Sequence, residues 1–73
     1  VPDSLTTFAT NVKRARAASG LTQEALAERS GLHLTHIARI ELAQREPGVR
    51  SVARLAAALG VDANTLFEGI DGR

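Results

Sequence analysis

Gly20, Gly31, Pro47 and Gly60 interrupt the chain at intervals that leave only short segments between them. Alanine is abundant in those segments and runs of β-branched residues are absent, so each reads as a helix. No internal repeat or low-complexity stretch competes with that reading. At 73 residues the helices form one domain spanning 1–73, of a size at which a single core rarely supplies more than roughly 3–5 kcal/mol. There is no cysteine, which removes disulfides, thiolate zinc ligands and thiol nucleophiles together. Extra stability must come from close helix packing or from oligomerisation.

The first helix is predicted over about Ser4 to Ser19. Leu5, Phe8, Val12 and Ala15 share one stripe by the three-and-four spacing, with Asn11, Lys13 and Arg14 expected to face water. Thr22 is the N-cap of the second helix, and Leu21 and Leu26 are placed to staple its first turn. That helix runs to about Ser30 and stops at Gly31. A third helix is expected from about Leu34 to Ala43, burying Ile37 and Ile40, although His33 is a poor capping residue. Pro47 breaks the chain before a fourth helix, Val49 to Leu59, with Val52, Leu55, Ala56 and Leu59 on its apolar face. A short fifth helix follows, with Asp62 as N-cap and Val61 stapled to Leu66, and Ile70 trails behind it.

Residues 23–42, "QEALAERSGLHLTHIARIEL", satisfy what two short helices crossing at a steep angle require. Ala27 supplies a small side chain at the crossing, and Gly31 tolerates the positive φ of a tight turn. Leu26, Leu32, Ile37 and Ile40 close the inner faces. This is the spacing of a helix-turn-helix.

"GLTQEALAERSGL", "IARIE" and "LAAALGVDANTLF", within the stretch from Val12 to Phe67, resemble the XRE family of bacterial and phage regulators, which includes the lambda-type repressors and Cro. The resemblance implies an all-α, compact five-helix lambda repressor-like domain. It implies a transcriptional regulator that binds double-stranded operator DNA as a homodimer; no cofactor is expected, and the lack of a membrane span or secretory signal reads as cytoplasmic. "GLHLTHI" is also similar to the start of the reading helix in restriction–modification controller proteins.

In a helix-turn-helix the second helix enters the major groove and shows its N-terminal residues to base edges. With Ile37 and Ile40 turned inward, His33, Leu34, Thr35, Ala38 and Arg39 are free to face outward and are the candidate base contacts. Thr35 suits a base edge or a thymine methyl, Leu34 an apolar contact, and Arg39 a guanine fork or a phosphate. His36 either reaches a phosphate or shields the interhelical core. Gln23 opens the second helix, where free N–H groups and the helix dipole favour a phosphate, and the family's glutamine at this position clamps one. Arg45, in the loop after the reading helix, is a further phosphate candidate on family grounds, and Lys13 and Arg50 are additional basic candidates. The resemblance also implies a structural ion pair between Arg16 and Glu41. Two positions depart from the family pattern: Leu34 stands where arginine, glutamine or serine is common, and Ala43 where glycine is common. The first unsettles any inherited sequence preference, and the second suggests a different loop geometry.

His33 and His36 are too few for a metal centre, and nothing nearby completes a tetrahedron. No phosphate-binding glycine loop, H-E-x-x-H or oriented Ser–His pair is present, so an enzyme is not expected. The longest apolar runs are only a few residues and none follows a basic segment, which predicts neither a membrane span nor a secretory signal. No attached ligand domain suggests a small-molecule effector. Residues 1–54 hold eight of the nine Lys and Arg against five of the eight Asp and Glu, a balance of +3, whereas residues 55–73 carry −2. A basic front suits a polyanion and leaves the C-terminal end for another task. That end, about residues 59–70, is the expected dimerisation segment, through Leu66, Phe67 and Ile70. The competing class is a protein-interaction module, such as an antitoxin or a coactivator, built on the same scaffold.

Overall fold

Residues 3–72 are described by the computed structural model; Arg73, counted in the C-terminal charge balance, lies outside them. Among the described residues the elements are five helices: α1 (Ser4–Ala18), α2 (Gln23–Ser30), α3 (Leu34–Glu41), α4 (Val49–Leu59) and α5 (Ala63–Leu66). The helix starts follow local chemistry. Asp3 accepts the Thr6 N–H at 2.8 Å, Thr22 accepts that of Ala25 at 3.0 Å, and Asp62 accepts that of Asn64 at 2.9 Å. In each case a side-chain oxygen satisfies one of the amides that a helix N-terminus leaves unpaired.

α2 lies against α3 and α4, α1 against α3 and α5, and α4 against α5. Between them, Val12, Leu26, Ile37, Ile40, Leu55 and Leu66 lose essentially all contact with solvent. Burying a side chain of this kind stabilises by about 1.5–3 kcal/mol relative to leaving it exposed. Leu21 and Val61, the two staple residues that precede α2 and α5, pack against this core, as do Ala27 and Leu32.

Three expectations are corrected. Asn11 does not face water: it is 6% exposed, and its amide donates to Leu66 O and Glu68 O, both at 2.9 Å. The two carbonyls close the end of α5, so this amide anchors a helix of only 4 residues that could not stand alone. Leu66 is not available to a second copy, because it is fully buried inside the monomer. α3 ends at Glu41 rather than Ala43, and Leu42 caps it.

Beyond that cap, Ala43 has φ +57°. Its N–H donates to Ile40 O at 3.0 Å and that of Gln44 to Arg39 O at 2.9 Å, the paired bonds of a Schellman motif. Alanine here takes up the left-handed turn that glycine usually makes, so it strains the loop rather than reshaping it.

Candidate nucleic-acid interface

The turn between α2 and α3 is built from its own backbone. Gly31, at φ +74°, donates its N–H to Ala27 O at 3.0 Å. The buried Ser30 hydroxyl accepts the Leu32 N–H at 3.2 Å and donates to Ala27 O at 3.4 Å. The chain leaves the turn extended at His33 and enters α3 without a side-chain cap.

α3 has a sharply divided surface. Ile37 and Ile40 are fully buried and Glu41 nearly so, whereas His33, Leu34, Thr35 and Arg39 are exposed and Ala38 is half-buried at the margin. Leu34, 43% exposed, places an apolar side chain at the start of the edge that carries Thr35 and Arg39. His36 sits at the boundary. Its Nε2 is sealed from solvent and has no hydrogen-bond partner, so this side of the ring covers the interior and would have to turn out to meet a phosphate. Burial, then the charges of Arg45 and His33, hold its pKa below the ordinary histidine value.

Behind α3 lies a polar network. Arg16 grips Glu41 with two bonds, Nε to Oε2 at 2.6 Å and Nη2 to Oε1 at 2.9 Å. Its Nη1 donates to Leu21 O at 3.0 Å. Gln23 Nε2 donates to Glu41 Oε1 at 3.0 Å. The carboxylate at the end of α3 is thereby tied to α1, to the turn before α2 and to the first residue of α2. Burial pushes the Glu41 carboxyl up, but the bonds from Arg16 and Gln23 and the charges of Arg16 and Lys13 outweigh it and leave it below the usual carboxylate value. The bond to Glu41 raises the Arg16 guanidinium in turn.

The spacing pattern had not disclosed the Gln23–Glu41 bond. Gln23 is half-buried, with its amide engaged rather than freely solvated. Lys13, Arg45 and Arg50 are exposed. Among the described residues no group of three or more potential metal ligands comes together, and no helix is long and apolar enough to cross a membrane.

Away from α3, an apolar groove of about 470 Å³ opens between α1, α4 and the chain after α5, with Leu5, Phe8, Val49, Val52, Phe67 and Ile70 in its lining. The rings of Phe8 and Phe67 lie 5.6 Å apart in a tilted pair. Leu5, expected on the buried stripe, is only half-buried here. Phe67 is 45% exposed and Val49 90%.

Two short helices joined through a left-handed glycine, the second held from behind with its outer edge open, define a helix-turn-helix protein. Residues 12–66 match the helix-turn-helix family HTH_3, and the chain belongs to this XRE-type family of DNA-binding transcription regulators. Solved structures carry the likeness further. The restriction-modification controller protein C.AhdI from Aeromonas hydrophila is 35% identical with a TM-score of 0.84, the match covering 86% of this chain and 96% of that one. The wild-type restriction-modification controller protein C.Esp1396I is 31% identical with a TM-score of 0.84, over 93% of this chain and 90% of that one. A hypothetical transcription factor from Neisseria, NHTF, is 32% identical with a TM-score of 0.85, over 89% of this chain and 75% of that one. Among curated protein sequences none matches significantly.

Proposed function

We propose that this protein is a sequence-specific regulator of transcription that binds a palindromic operator in double-stranded DNA as a homodimer, with α3 in the major groove. The observation that carries the reading is the division of α3, with Ile37, Ile40 and Glu41 buried and His33, Leu34, Thr35 and Arg39 exposed on the opposite edge. An edge of this kind, clamped from behind, suits contact with bases. Thr35 and Arg39 are the sequence-reading pair, while His33, Leu34 and Ala38 set the shape of the contact. Gln23 at the N-terminus of α2, with Arg45, Lys13 and Arg50, holds the phosphate backbone on either side. The similarity to C.AhdI and C.Esp1396I supports a controller role in a bacterial restriction–modification locus, and hence a cytoplasmic one.

The length of α3 supports a dimer. α3 has 8 residues, which at 1.5 Å each makes it about 12 Å long, enough for one groove and too short for a unique site. Two copies related by a two-fold axis would engage half-sites about 34–36 Å apart. The groove bordered by Val49, Phe67 and Ile70 is the surface for the second copy, with Leu66 supporting it from inside the core. A Phe67→Ser variant is expected to shift the sedimentation profile at tens of micromolar from dimer to monomer. A wild-type protein that sediments only as a monomer would remove this part of the proposal.

The deciding experiment uses a duplex selected from a random pool by the purified protein. Replacing Thr35 and Arg39 together by alanine should weaken binding to that duplex at least tenfold, since a good base contact is worth about 1–3 kcal/mol, and should affect a scrambled duplex much less. Unchanged affinity for the selected duplex would favour a protein-interaction module instead.

A further inference from the structure

The interior network holds more than α3. Gln23 and Glu41 are 18 residues apart, at the start of α2 and the end of α3, yet Gln23 Nε2 lies 3.0 Å from Glu41 Oε1. A carboxylate can only accept, so the amino end of the Gln23 carboxamide must face Glu41. That nitrogen carries two hydrogens and Glu41 takes one. The second is left directed away from the buried carboxylate, at the end of α2 where the helix dipole favours an anion.

Glu41 is itself immobile. Its side chain is 3% exposed, and Arg16 occupies both of its oxygens, at 2.6 and 2.9 Å. Arg16 also fixes Leu21 O at 3.0 Å, one residue before the Thr22 cap of α2. A glutamine at an exposed helix start would ordinarily sample many rotamers and lose that freedom on binding. Here its orientation is set beforehand by a group that no ligand touches.

We propose that Glu41 is a positioning residue for DNA binding: its buried carboxylate aims the Gln23 carboxamide at a backbone phosphate, so that one side chain fixes both the seat of α3 and the phosphate contact of α2. The inference rests on the reading of α2 as the phosphate-contacting helix. It separates Glu41 from a purely structural ion-pair partner, because the effect on DNA must pass through Gln23. The contact is with phosphate and involves no charged side chain. Its loss should therefore weaken selected and scrambled duplexes equally and leave the salt dependence unchanged.

The test is a double-mutant cycle on DNA affinity with Gln23→Met, which keeps the length and removes the donors, and Glu41→Gln, which keeps the shape and puts an amide in place of the carboxylate. Gln23→Met alone should weaken binding roughly three- to tenfold, the range of one hydrogen bond. The loss caused by Glu41→Gln should shrink by that same factor in the Gln23→Met background. Equal losses from Glu41→Gln in both backgrounds would overturn the proposal.

If Glu41→Gln fails to fold, the wild-type protein still decides. The Gln23 side-chain proton bonded to Glu41 should resonate away from the position of a solvated glutamine in the free protein, and saturating duplex should move the other proton of the pair. A pair at solvated-glutamine positions, or one that ignores the duplex, would overturn it equally. A wild-type protein that binds no duplex would overturn the functional reading itself, whereas binding with multiplicative losses would overturn only the role of Glu41.

Discussion

α2 and α3 are both 8 residues long and pack against one another, but they are specified by different means. α2 carries its own instructions: Thr22 caps its start and Gly31 ends it in the left-handed turn that suits glycine. α3 has neither device, since no side chain caps its first turn and a strained alanine follows its last. What fixes α3 comes from behind it, through Ile37, Ile40 and the Glu41 network. A helix held in this way keeps its N-terminal end and outer edge clear of self-made contacts, which is what a surface meant for a partner needs.

The largest effect expected from this contrast is at Glu41. Glu41→Ala strips Arg16 and Gln23 of their shared acceptor and should destabilise the fold by about 3 kcal/mol, the low end for a broken buried pair. The low end applies because the Arg16 side chain stays 22% exposed and keeps its bond to Leu21 O. Thr22→Ala, which removes only a local cap, should cost about 1 kcal/mol. Equal losses in urea unfolding would erase the distinction between the two helices. Acid should approach the same end as Glu41→Ala. The folded Glu41 binds its proton less readily than the ordinary value of 4.5, so the unfolded chain is protonated first. Stability from this group is therefore full above pH 4.5 and is lost as the pH falls through the folded value, a loss that Glu41→Ala should not show.

The same contrast explains what was legible in the sequence. The ends of α2 were, because Thr22, Leu21, Leu26 and Gly31 act within one turn of the boundaries they set. The inner face of α3 was also legible, because Ile37 and Ile40 repeat with the helix. The polar partners were not. Asn11 lies three residues after Phe8 and four before Ala15, on the apolar stripe, but the carbonyls that make its burial tolerable are 55 and 57 residues further on. The Gln23–Glu41 bond crosses from one helix to another, and no periodicity encodes which donor a buried carboxylate will meet. Leu66 shows the same limit for apolar residues: three lie within five positions, and only the packed structure decides that Leu66 goes inside while Phe67 remains at the rim.

A pair of reciprocal substitutions sharpens the comparison further. Gly31 and Ala43 hold similar conformations, at φ +74° and +57°, so exchanging their residue types isolates the strain. A Cβ on Gly31 would meet nothing nearer than Arg54 Nη1 at 3.9 Å, so Gly31→Ala suffers from conformation alone and should cost about 1 kcal/mol. Ala43→Gly relieves the same strain but frees the unfolded chain, leaving a net gain of about 0.5–1 kcal/mol. Thermal unfolding of the two variants should move in opposite directions. A loss of stability in Ala43→Gly would mean that the alanine methyl makes a packing contribution larger than the strain it introduces.

The smallest expected effect belongs to His36, at the boundary between the two faces of α3. Its Nε2 is buried without a partner, and a proton there would be desolvated beside the positive charge of Arg45. Folding thus favours the neutral ring, and its pKa lies below the ordinary 6.5. Between the folded value and 6.5 the unfolded chain binds more protons, so stability declines as the pH drops through that window and levels off below it. Urea midpoints measured from pH 8 to 5 should show this slope in the wild type, and His36→Gln should reduce it. A slope unchanged by His36→Gln would place the titrating group elsewhere and leave the imidazole as an inert cover over the core. The window opens at a higher pH than that of Glu41, so on acidification the support from His36 should begin to weaken before that of the network.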